Sequence, residues 1–254
     1  MSQADPASTS NPKRTAIETV QEEIKRRIFN FALKPDERLH VDNLRRQFDV
    51  STATVREALS RLMTDQLVVS ESQRGFYVRG LSLADFQAIS SARAIIEVAA
   101  LRESLQHRDD NWEGELFAAF HKLKLVEDRM LGKNDLTVAS EWHRRNLTFH
   151  DSLVANCHNE WLIRYRSQLH EHSRRYLRLA LGNNRAHRDV REEHRNIFDS
   201  AIRGDVDACA AYLEQHISKS VADVSRNLVQ VAQGGDFLAS AYTTAADTAP
   251  EAAD

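Results

Sequence analysis

The chain has 254 residues, with 34 Lys and Arg against 37 Asp and Glu, a formal net charge of −3, and only 8 Gly and 4 Pro. This length allows one large or two modest domains, and no apolar run approaches the ~20 residues that a membrane-spanning helix needs. Two isolated cysteines and a polar N-terminus without an apolar core match neither a redox or metal motif nor a secretory signal. We therefore expect a mostly helical, cytoplasmic protein that does not contact membranes.

The N-terminal part of the chain begins with a small, polar segment and continues with two amphipathic patterns. Residues 1–13 are predicted to be a disordered tail. A first helix is predicted over about 15–31, a turn over 33–37 and a second helix over 41–48. The first helix is indicated by an apolar stripe at helical spacing, formed by Ile17, Val20, Ile24, Ile28 and Phe31.

Residues 50–67 carry the most informative pattern in the chain. Val55, Leu59 and Leu62 recur at helical spacing, and short polar residues occupy the first turn. Such a helix packs one face on a small domain and directs its N-terminus into a DNA groove. Residues 68–78 then alternate and turn near Gly75, which predicts a β-hairpin wing. The order of elements over 14–80 predicts a winged helix-turn-helix domain.

The predicted DNA contacts follow from this geometry. A helix N-terminus presents short side chains to base edges, and the guanidinium of Arg can donate two hydrogen bonds to guanine. Arginines on the preceding helix can hold the phosphate backbone, and a glycine at the wing tip allows close approach to the minor groove. The alternative is that these are solvated residues of a small helical domain. The predicted contacts are Arg45, Arg46, Ser51, Thr52, Thr54, Arg56, Arg74 and Gly75.

Residues 81–233 show the periodicity of six or seven amphipathic helices and predict an all-α bundle. Ser82 is predicted to cap the first of these helices, with Asp85 three residues on. The helices are separated by breaks near 109–111, 132–135, 156–159, 182–187 and Gly204. Residues 234–254 are rich in Ala and Thr and end acidic, which predicts a flexible tail.

Three histidines in this second half are spaced so that they can converge. Asn146 and His150 are four residues apart and share one helix face, while His194 and His216 fall on two further helices. Three imidazoles from three helices of a bundle can bind one divalent cation, with Asn146 as a fourth partner. The alternative is that these histidines lie at the surface or cap helices, since the chain has 11 His.

The N-terminal motif resembles the GntR family of bacterial repressors. The resemblance is carried by Leu-Arg-Arg-Gln-Phe-Asp-Val-Ser over 44–51, Val-Arg-Glu-Ala-Leu over 55–59 and the Arg-Gly-Phe wing that begins at Arg74. Family members usually have Arg-Thr-Pro where this chain has Thr52, Ala53 and Thr54. The resemblance implies binding of a duplex operator, and the departure implies an operator that differs from the usual one or greater reliance on Arg56 and the wing.

The second half resembles the FadR subfamily, whose helical ligand domain is called FCD. The matching segments are Asn-Leu-Thr-Phe-His over 146–150, Glu-His over 193–194 with Ala201, and Gln-His over 215–216. The resemblance implies that His150, His194 and His216 bind zinc, nickel or manganese, with zinc favoured. Asn146 stands where the family has a carboxylate, so either metal binding is weaker or more selective, or the histidines bind an acidic effector without a metal.

Effectors of this subfamily are typically small organic acids or sugar acids, held by the metal and by arginine. Arg93 resembles an arginine that faces the FCD cavity, and its alternative partner is Glu97 on the next helical turn. His172, Arg175 and Tyr176 are further candidates for the effector pocket, although part of that Arg-rich face must be solvated.

These patterns together predict a homodimeric transcription regulator, most readily a repressor, on a pseudo-palindromic DNA operator. An organic acid bound inside the bundle is expected to alter how the two winged domains of the dimer are spaced. Two rival functions stay open from the sequence. One is a metal-dependent hydrolase-like enzyme fused to a DNA-binding module, and the other is an architectural DNA-binding dimer without a ligand.

Overall fold

A computed structural model describes residues 14–71, 74–130, 136–181 and 190–232. The predicted tails at 1–13 and 234–254 and the predicted breaks at 132–135 and 182–187 lie outside these ranges. The described chain divides into two compact units, with the boundary between Gly80 and Leu81. The first unit contains a three-stranded sheet and three helices; the second is helical throughout its described part, which confirms the predicted fold class.

The first unit has the element order of a winged helix. Its helices are α1 (Ala16–Phe29), α2 (Val41–Phe48) and α3 (Thr52–Thr64), and its strands are β1 (Arg38–Leu39), β2 (Val68–Glu71) and β3 (Gly75–Val78). The sheet is antiparallel in the order β1-β3-β2. The three helices and the sheet enclose one apolar core, in which Ile24, Ile28, Val55, Leu59 and Leu62 are fully buried.

Local side-chain chemistry sets the ends of these helices. Thr15 and Glu18 form a capping box at the start of α1, each side chain bonding the other residue's backbone N–H. Helix α2 ends at Phe48 and is followed by Asp49 as its C-cap, whose φ of 50° is left-handed, a conformation that Asp tolerates better than most residues. The sharp turn that follows leads the chain directly into α3.

One sequence-based expectation in this unit is wrong, and one strand was not predicted. Helix α1 ends at Phe29 rather than Phe31, because Phe31 adopts a left-handed φ of 58° and packs into the core from outside the helix. Strand β1 (Arg38–Leu39) lies between the predicted turn over 33–37 and the predicted helix over 41–48, where the sequence predicted no element. Its two residues pair with Tyr77 and Phe76, and so short a strand has no periodicity that a sequence pattern can reveal.

The second unit is a bundle of six described helices. These are α4 (Leu83–Gln106), α5 (Asp110–Met130), α6 (Leu136–Leu153), α7 (Glu160–Leu181), α8 (Val190–Arg203) and α9 (Val206–Ala232). Ser82 caps α4 by accepting from the Asp85 N–H, as predicted. Helices α5 and α6 pack as a pair, α4 packs on α7 and α9, and α8 packs on α9 and α5. None of the described helices is long and apolar enough to cross a membrane.

Candidate metal centre and DNA-contact surface

The N-terminus of α3 is capped by Ser51 and is exposed to solvent. Ser51 Oγ accepts from the Thr54 N–H at 3.1 Å and lies 2.9 Å from Thr54 Oγ1. Ser51 and Thr52 are exposed and Thr54 is half-buried, while Val55 faces the core. This arrangement leaves the first turn of α3 accessible, as entry of a helix into a major groove requires.

The predicted arginine contacts all lie at the surface of the first unit. Arg45, Arg46, Arg56 and Arg74 are exposed, and Gly75 is half-buried at the start of β3 with a left-handed φ of 102°. Arg46 donates to the backbone oxygen of Asp42 and to Asn43. The Arg74 guanidinium is 3.6 Å from Glu71 across the wing.

A groove of about 410 Å³ joins these residues on one surface. It is lined from α2, α3 and the wing, so Arg46, Arg56 and Gly75 border the same space. Arg38 of β1 also lines it, beside Gly75. Sequence reasoning missed Arg38 because strand β1 was not expected, and the pairing of β1 with β3 is what brings this cation to the wing.

In the second unit, the structure brings together the three predicted histidines. His150 on α6, His194 on α8 and His216 on α9 are buried, and one potential ligand nitrogen from each lies within 4.8 Å of the others. Their ring centroids are 4.8 to 5.5 Å apart. Helices α5, α6, α8 and α9 enclose them in the apolar core that contains Phe149, Ile197 and Leu213.

Two carboxylates, one on the buried Glu127 and one on the half-buried Glu193, orient two of these imidazoles. His194 Nδ1 lies 2.8 Å from Glu127 Oε1 of α5, which also accepts from the Trp142 indole. His216 Nδ1 lies 2.8 Å from Glu193 Oε2. A carboxylate on one ring nitrogen fixes the tautomer and leaves the other nitrogen as a lone-pair donor, the arrangement usual around metal-bound histidines.

Two nitrogens of the triad, and the amide oxygen of Asn146 one turn before His150 on α6, are buried without a hydrogen-bond partner among the described residues. These atoms are Asn146 Oδ1, His150 Nδ1 and His194 Nε2. Burial, with the nearby His216 and His194, lowers the pKa of His150 well below its ordinary value, so its imidazole is neutral at pH 7. Orphaned buried acceptors are uncommon in folded proteins and indicate a missing partner, and these donor types suit a divalent transition metal.

Arg93 is buried, as the sequence predicts for a pocket residue, but it is already paired. Its Nε donates to Glu97 Oε1 at 2.7 Å and its Nη1 to Ser173 Oγ at 2.9 Å. Burial alone would raise the pKa of Glu97, but the charges of Arg93 and Arg166 outweigh it and hold that pKa below its usual value. The anion that Arg93 binds in this structure is therefore Glu97, the alternative partner recognised in the sequence.

Arg166 and His170 of α7 are functional candidates that sequence reasoning missed. Arg166 is 3% exposed, and its Nη1 donates to Asp151 Oδ1 at 2.6 Å. Its Nε and Nη2 have no hydrogen-bond partner among the described residues, and Nε is 4.0 Å from Glu97 Oε2. No motif marks Arg166; packing of α7 on α4 and α9 brings it close enough to His150 to help lower the pKa of that imidazole.

The remaining predicted effector residues lie elsewhere on α7. Tyr176 is buried, stacks on Phe86 at 4.8 Å and donates its hydroxyl to Asp85 at 2.6 Å. It belongs with Val224 to an apolar cluster separate from the core around the histidines. Arg175 is buried and His172 is half-buried on the same helix. The structure therefore assigns Tyr176 a packing partner rather than a place beside the triad.

The buried state of His170 predicts acid sensitivity of the metal-free protein. Burial, reinforced by Arg93, lowers the pKa of His170 to about 3, whereas the unfolded chain binds this proton near pH 6.5. The free energy of unfolding therefore keeps its full contribution from this group above about pH 6.5. It falls on acidification, by about 2 kcal/mol from this group at about pH 5. Urea unfolding of wild type and His170→Gln at both pH values measures this difference. An equal acid-induced loss in the two proteins would contradict it, since His150 contributes equally to both.

Two family models match the chain and together cover most of it. The model described as bacterial regulatory proteins, gntR family, matches residues 16–78. The FCD domain model matches residues 88–219. The two matches coincide with the winged unit and with the helical unit that contains the three histidines.

Several curated relatives are similar over most of their length. The HTH-type transcriptional regulator BphR of Paraburkholderia xenovorans is 34% identical over 221 residues, which cover 87% of this chain and 89% of BphR. The HTH-type transcriptional repressor GlaR of Escherichia coli is 26% identical over 76% of this chain and 89% of GlaR. The relatives are transcription regulators, so the DNA-binding function of the winged unit follows from family membership.

Solved structures show the same fold at lower identity. Escherichia coli McbR/YncC superposes with a TM-score of 0.66 at 21% identity, covering 85% of this chain and 99% of McbR/YncC. A GntR regulator from Rhodococcus superposes with a TM-score of 0.65 at 21% identity, covering 82% and 96%. From these matches and the site geometry, the chain belongs to the GntR family of bacterial transcriptional regulators and carries an FCD domain.

Proposed function

We propose that this regulator is a repressor whose affinity for its operator is controlled by a small organic acid, bound beside a divalent metal in the helical unit. The observation that carries the proposal is the buried triad of His150, His194 and His216. Its members come from three helices, and carboxylates orient two of the three imidazoles. A purely structural core gains nothing from buried imidazole nitrogens that lack a partner among the described residues, as His150 Nδ1 and His194 Nε2 do.

Zinc is the metal we favour for this site, with nickel and manganese as alternatives. Imidazole nitrogen is a good ligand for zinc and nickel, whereas manganese prefers oxygen. His150, His194 and His216 would hold the ion, and Asn146 Oδ1 supplies a neutral oxygen from the same face of α6. The metal would act as a Lewis acid that binds an oxygen of the effector.

The charges near the triad favour an anionic effector. Arg166 is buried with two donor nitrogens unsatisfied among the described residues, and its partner Asp151 is half-exposed. Asp151 and Glu97 balance part of this charge, and the unsatisfied donors of the guanidinium suit a further carboxylate. Glu127 also lines a crevice of about 230 Å³ between α5 and α8 that is bordered by Lys124, Arg191 and Arg195. We assign Arg166, rather than Arg93, as the residue that binds the effector carboxylate.

Dimeric binding and repression are part of the same proposal. A helix-turn-helix protein usually reads two half-sites as a symmetric dimer. Helix α4 exposes Ile95, and α7 exposes Trp161 and Tyr165, which stack on each other; exposed apolar side chains of this size favour a protein partner. The name of GlaR describes a repressor, and we extend that activity to this chain.

A titration tests the effector-controlled part of the proposal. An operator is first selected from a random duplex library with the purified, zinc-loaded protein. Operator affinity is then measured by fluorescence anisotropy while organic acids are added one at a time. We expect at least one acid to weaken operator binding about 5- to 150-fold, the range typical of allosteric coupling. Unchanged operator affinity with every acid that binds the helical unit would refute acid control.

The DNA-reading role of α3 is tested by Arg56→Ala. Arg56 is exposed near the N-terminus of α3 and lines the basic groove, so its loss is expected to weaken operator binding by about 1–3 kcal/mol and to relax specificity at one position. The matched control is Arg61→Ala, because Arg61 lies in the last turn of α3 and pairs with Glu57. Equal losses of operator affinity in the two variants would show that α3 contributes only general positive charge.

A further inference from the structure

Three arginines that border one groove of the winged unit have no carboxylate partner among the described residues. Arg38 of β1, Arg46 of α2 and Arg56 of α3 line the space of about 410 Å³ between α2, α3 and the wing. Arg46 donates to neutral acceptors, the backbone oxygen of Asp42 and the side chain of Asn43. Among the described residues that line the groove, Asp42 is the one with a carboxylate. The groove walls therefore carry three positive charges against one negative charge.

Other arginines of this unit lie close to a carboxylate on the same helix or on the wing. The pairs are Arg26 and Arg27 with Glu23, Arg61 with Glu57, and Arg74 with Glu71. Positive charge without a local anion is therefore gathered at the groove. A concave surface lined by charge of one sign attracts a polyanion, and duplex DNA is the polyanion that this family binds.

The sheet holds Arg38 at the base of the wing. Its backbone pairs with Tyr77 of β3, and its side chain is exposed. The Nε and Nη2 atoms lie 3.9 and 4.0 Å from the position that a Cβ on Gly75 would occupy, so the guanidinium lies directly against the start of β3. Unlike Arg74 in the turn of the wing, Arg38 is thus a cation on a regular strand that faces the groove.

The location of the groove indicates which part of a duplex would cross it. With α3 in the major groove and the wing in the adjoining minor groove, one sugar-phosphate backbone runs between the two elements. We propose that this backbone lies along the groove and that Arg38 contacts one of its phosphates. Such contacts fix the position and orientation of a protein on DNA without reading sequence. This inference rests on the DNA-binding function of the family and is independent of the proposed metal and effector.

The salt dependence of DNA binding by the full-length protein tests this contact. Fluorescence anisotropy gives the affinity for the selected operator and for a shuffled duplex of equal length, over about 0.05–0.2 M KCl. Each phosphate contact contributes about 0.9 to the slope of log affinity against log salt, which is about eightfold in affinity at about 0.1 M salt. For each bound copy of Arg38→Gln we expect both losses, and we expect them on both duplexes. Arg38→Lys keeps a point charge that can contact phosphate, so it is expected to retain the wild-type slope.

The matched control is Arg26→Gln, which removes the same charge from α1, where Arg26 pairs with Glu23 and does not line the groove. Its slope is expected to equal that of wild type, and circular dichroism establishes that each variant is folded. A wild-type slope in Arg38→Gln would overturn the phosphate contact, as would an equal loss of slope in Arg26→Gln. A loss confined to the operator, or an Arg38→Lys variant as weak as Arg38→Gln, would also overturn it, because Arg38 would then read a base rather than a phosphate.

Discussion

Replacing Glu97 by alanine is expected to destabilise the helical unit by about 3–5 kcal/mol, because it leaves the Arg93 guanidinium buried without its anion. Arg93 is 5% and Glu97 1% exposed, and their charged groups are 2.7 Å apart. The same variant also removes the Glu97 carboxylate that lies 4.0 Å from Arg166 Nε, so that Arg166 keeps only its contact with Asp151. Urea unfolding at neutral pH, followed by circular dichroism, measures the free energy of unfolding.

Two comparison variants separate the loss of the ion pair from the loss of side-chain volume. The double variant Arg93→Met, Glu97→Leu removes both charges while filling the space, so it is expected to be far less destabilised than Glu97→Ala. Glu113→Ala removes an exposed carboxylate from α5 and is expected to change stability by less than about 0.5 kcal/mol. A loss below about 1 kcal/mol in Glu97→Ala would show that the buried pair is not structurally important.

Replacing His194 by alanine is expected to weaken zinc binding more than 100-fold, and replacing Glu127 by glutamine about 10- to 100-fold. His194 is fully buried and its Nε2 has no hydrogen-bond partner among the described residues, while Glu127 holds the opposite ring nitrogen at 2.8 Å. Removing the ligand deletes a coordination position, whereas removing the carboxylate only frees the ring orientation. Isothermal titration with zinc, together with elemental analysis, measures both effects.

The control for this series is His121→Ala, since His121 is exposed on α5 and does not belong to the triad. Its zinc affinity is expected to equal that of wild type. Circular dichroism of each variant establishes that helix content is retained before zinc is added. If His194→Ala bound zinc as tightly as His121→Ala, the triad would not be the metal site.

Part of the site was predictable because its signal is local in the chain. The i, i+4 spacing of Asn146 and His150 specifies a shared helix face whatever the bundle looks like. The cap at Ser51 and the apolar spacing of Val55, Leu59 and Leu62 likewise specify α3 before any packing is known. Such features depend only on neighbours within one or two turns.

Other parts of the site depend on contacts that no local pattern encodes. Arg93 fits a pocket residue in sequence, and Glu97 is its local i, i+4 partner on α4, but only packing of α4 against α7 adds Ser173 and buries the pair. Arg166 has no motif, but its position across from Glu97 and Asp151 makes it the buried cation with unsatisfied donors among the described residues. Strand β1 exists only because β3 is there to pair with it.

The sequence by itself therefore determined the two-part helical architecture, the DNA-reading helix and three of the residues in the candidate metal centre. These follow from periodicity and capping, which depend on residues a few positions apart and can therefore be recognised in the sequence. The tertiary structure decided that the three imidazoles meet, that Glu127 and Glu193 orient two of them, and that Arg166 rather than Arg93 has donors to offer. The contacts of Arg166 with Asp151 and Glu97 join α7 to two other helices, so long-range packing alone decides them.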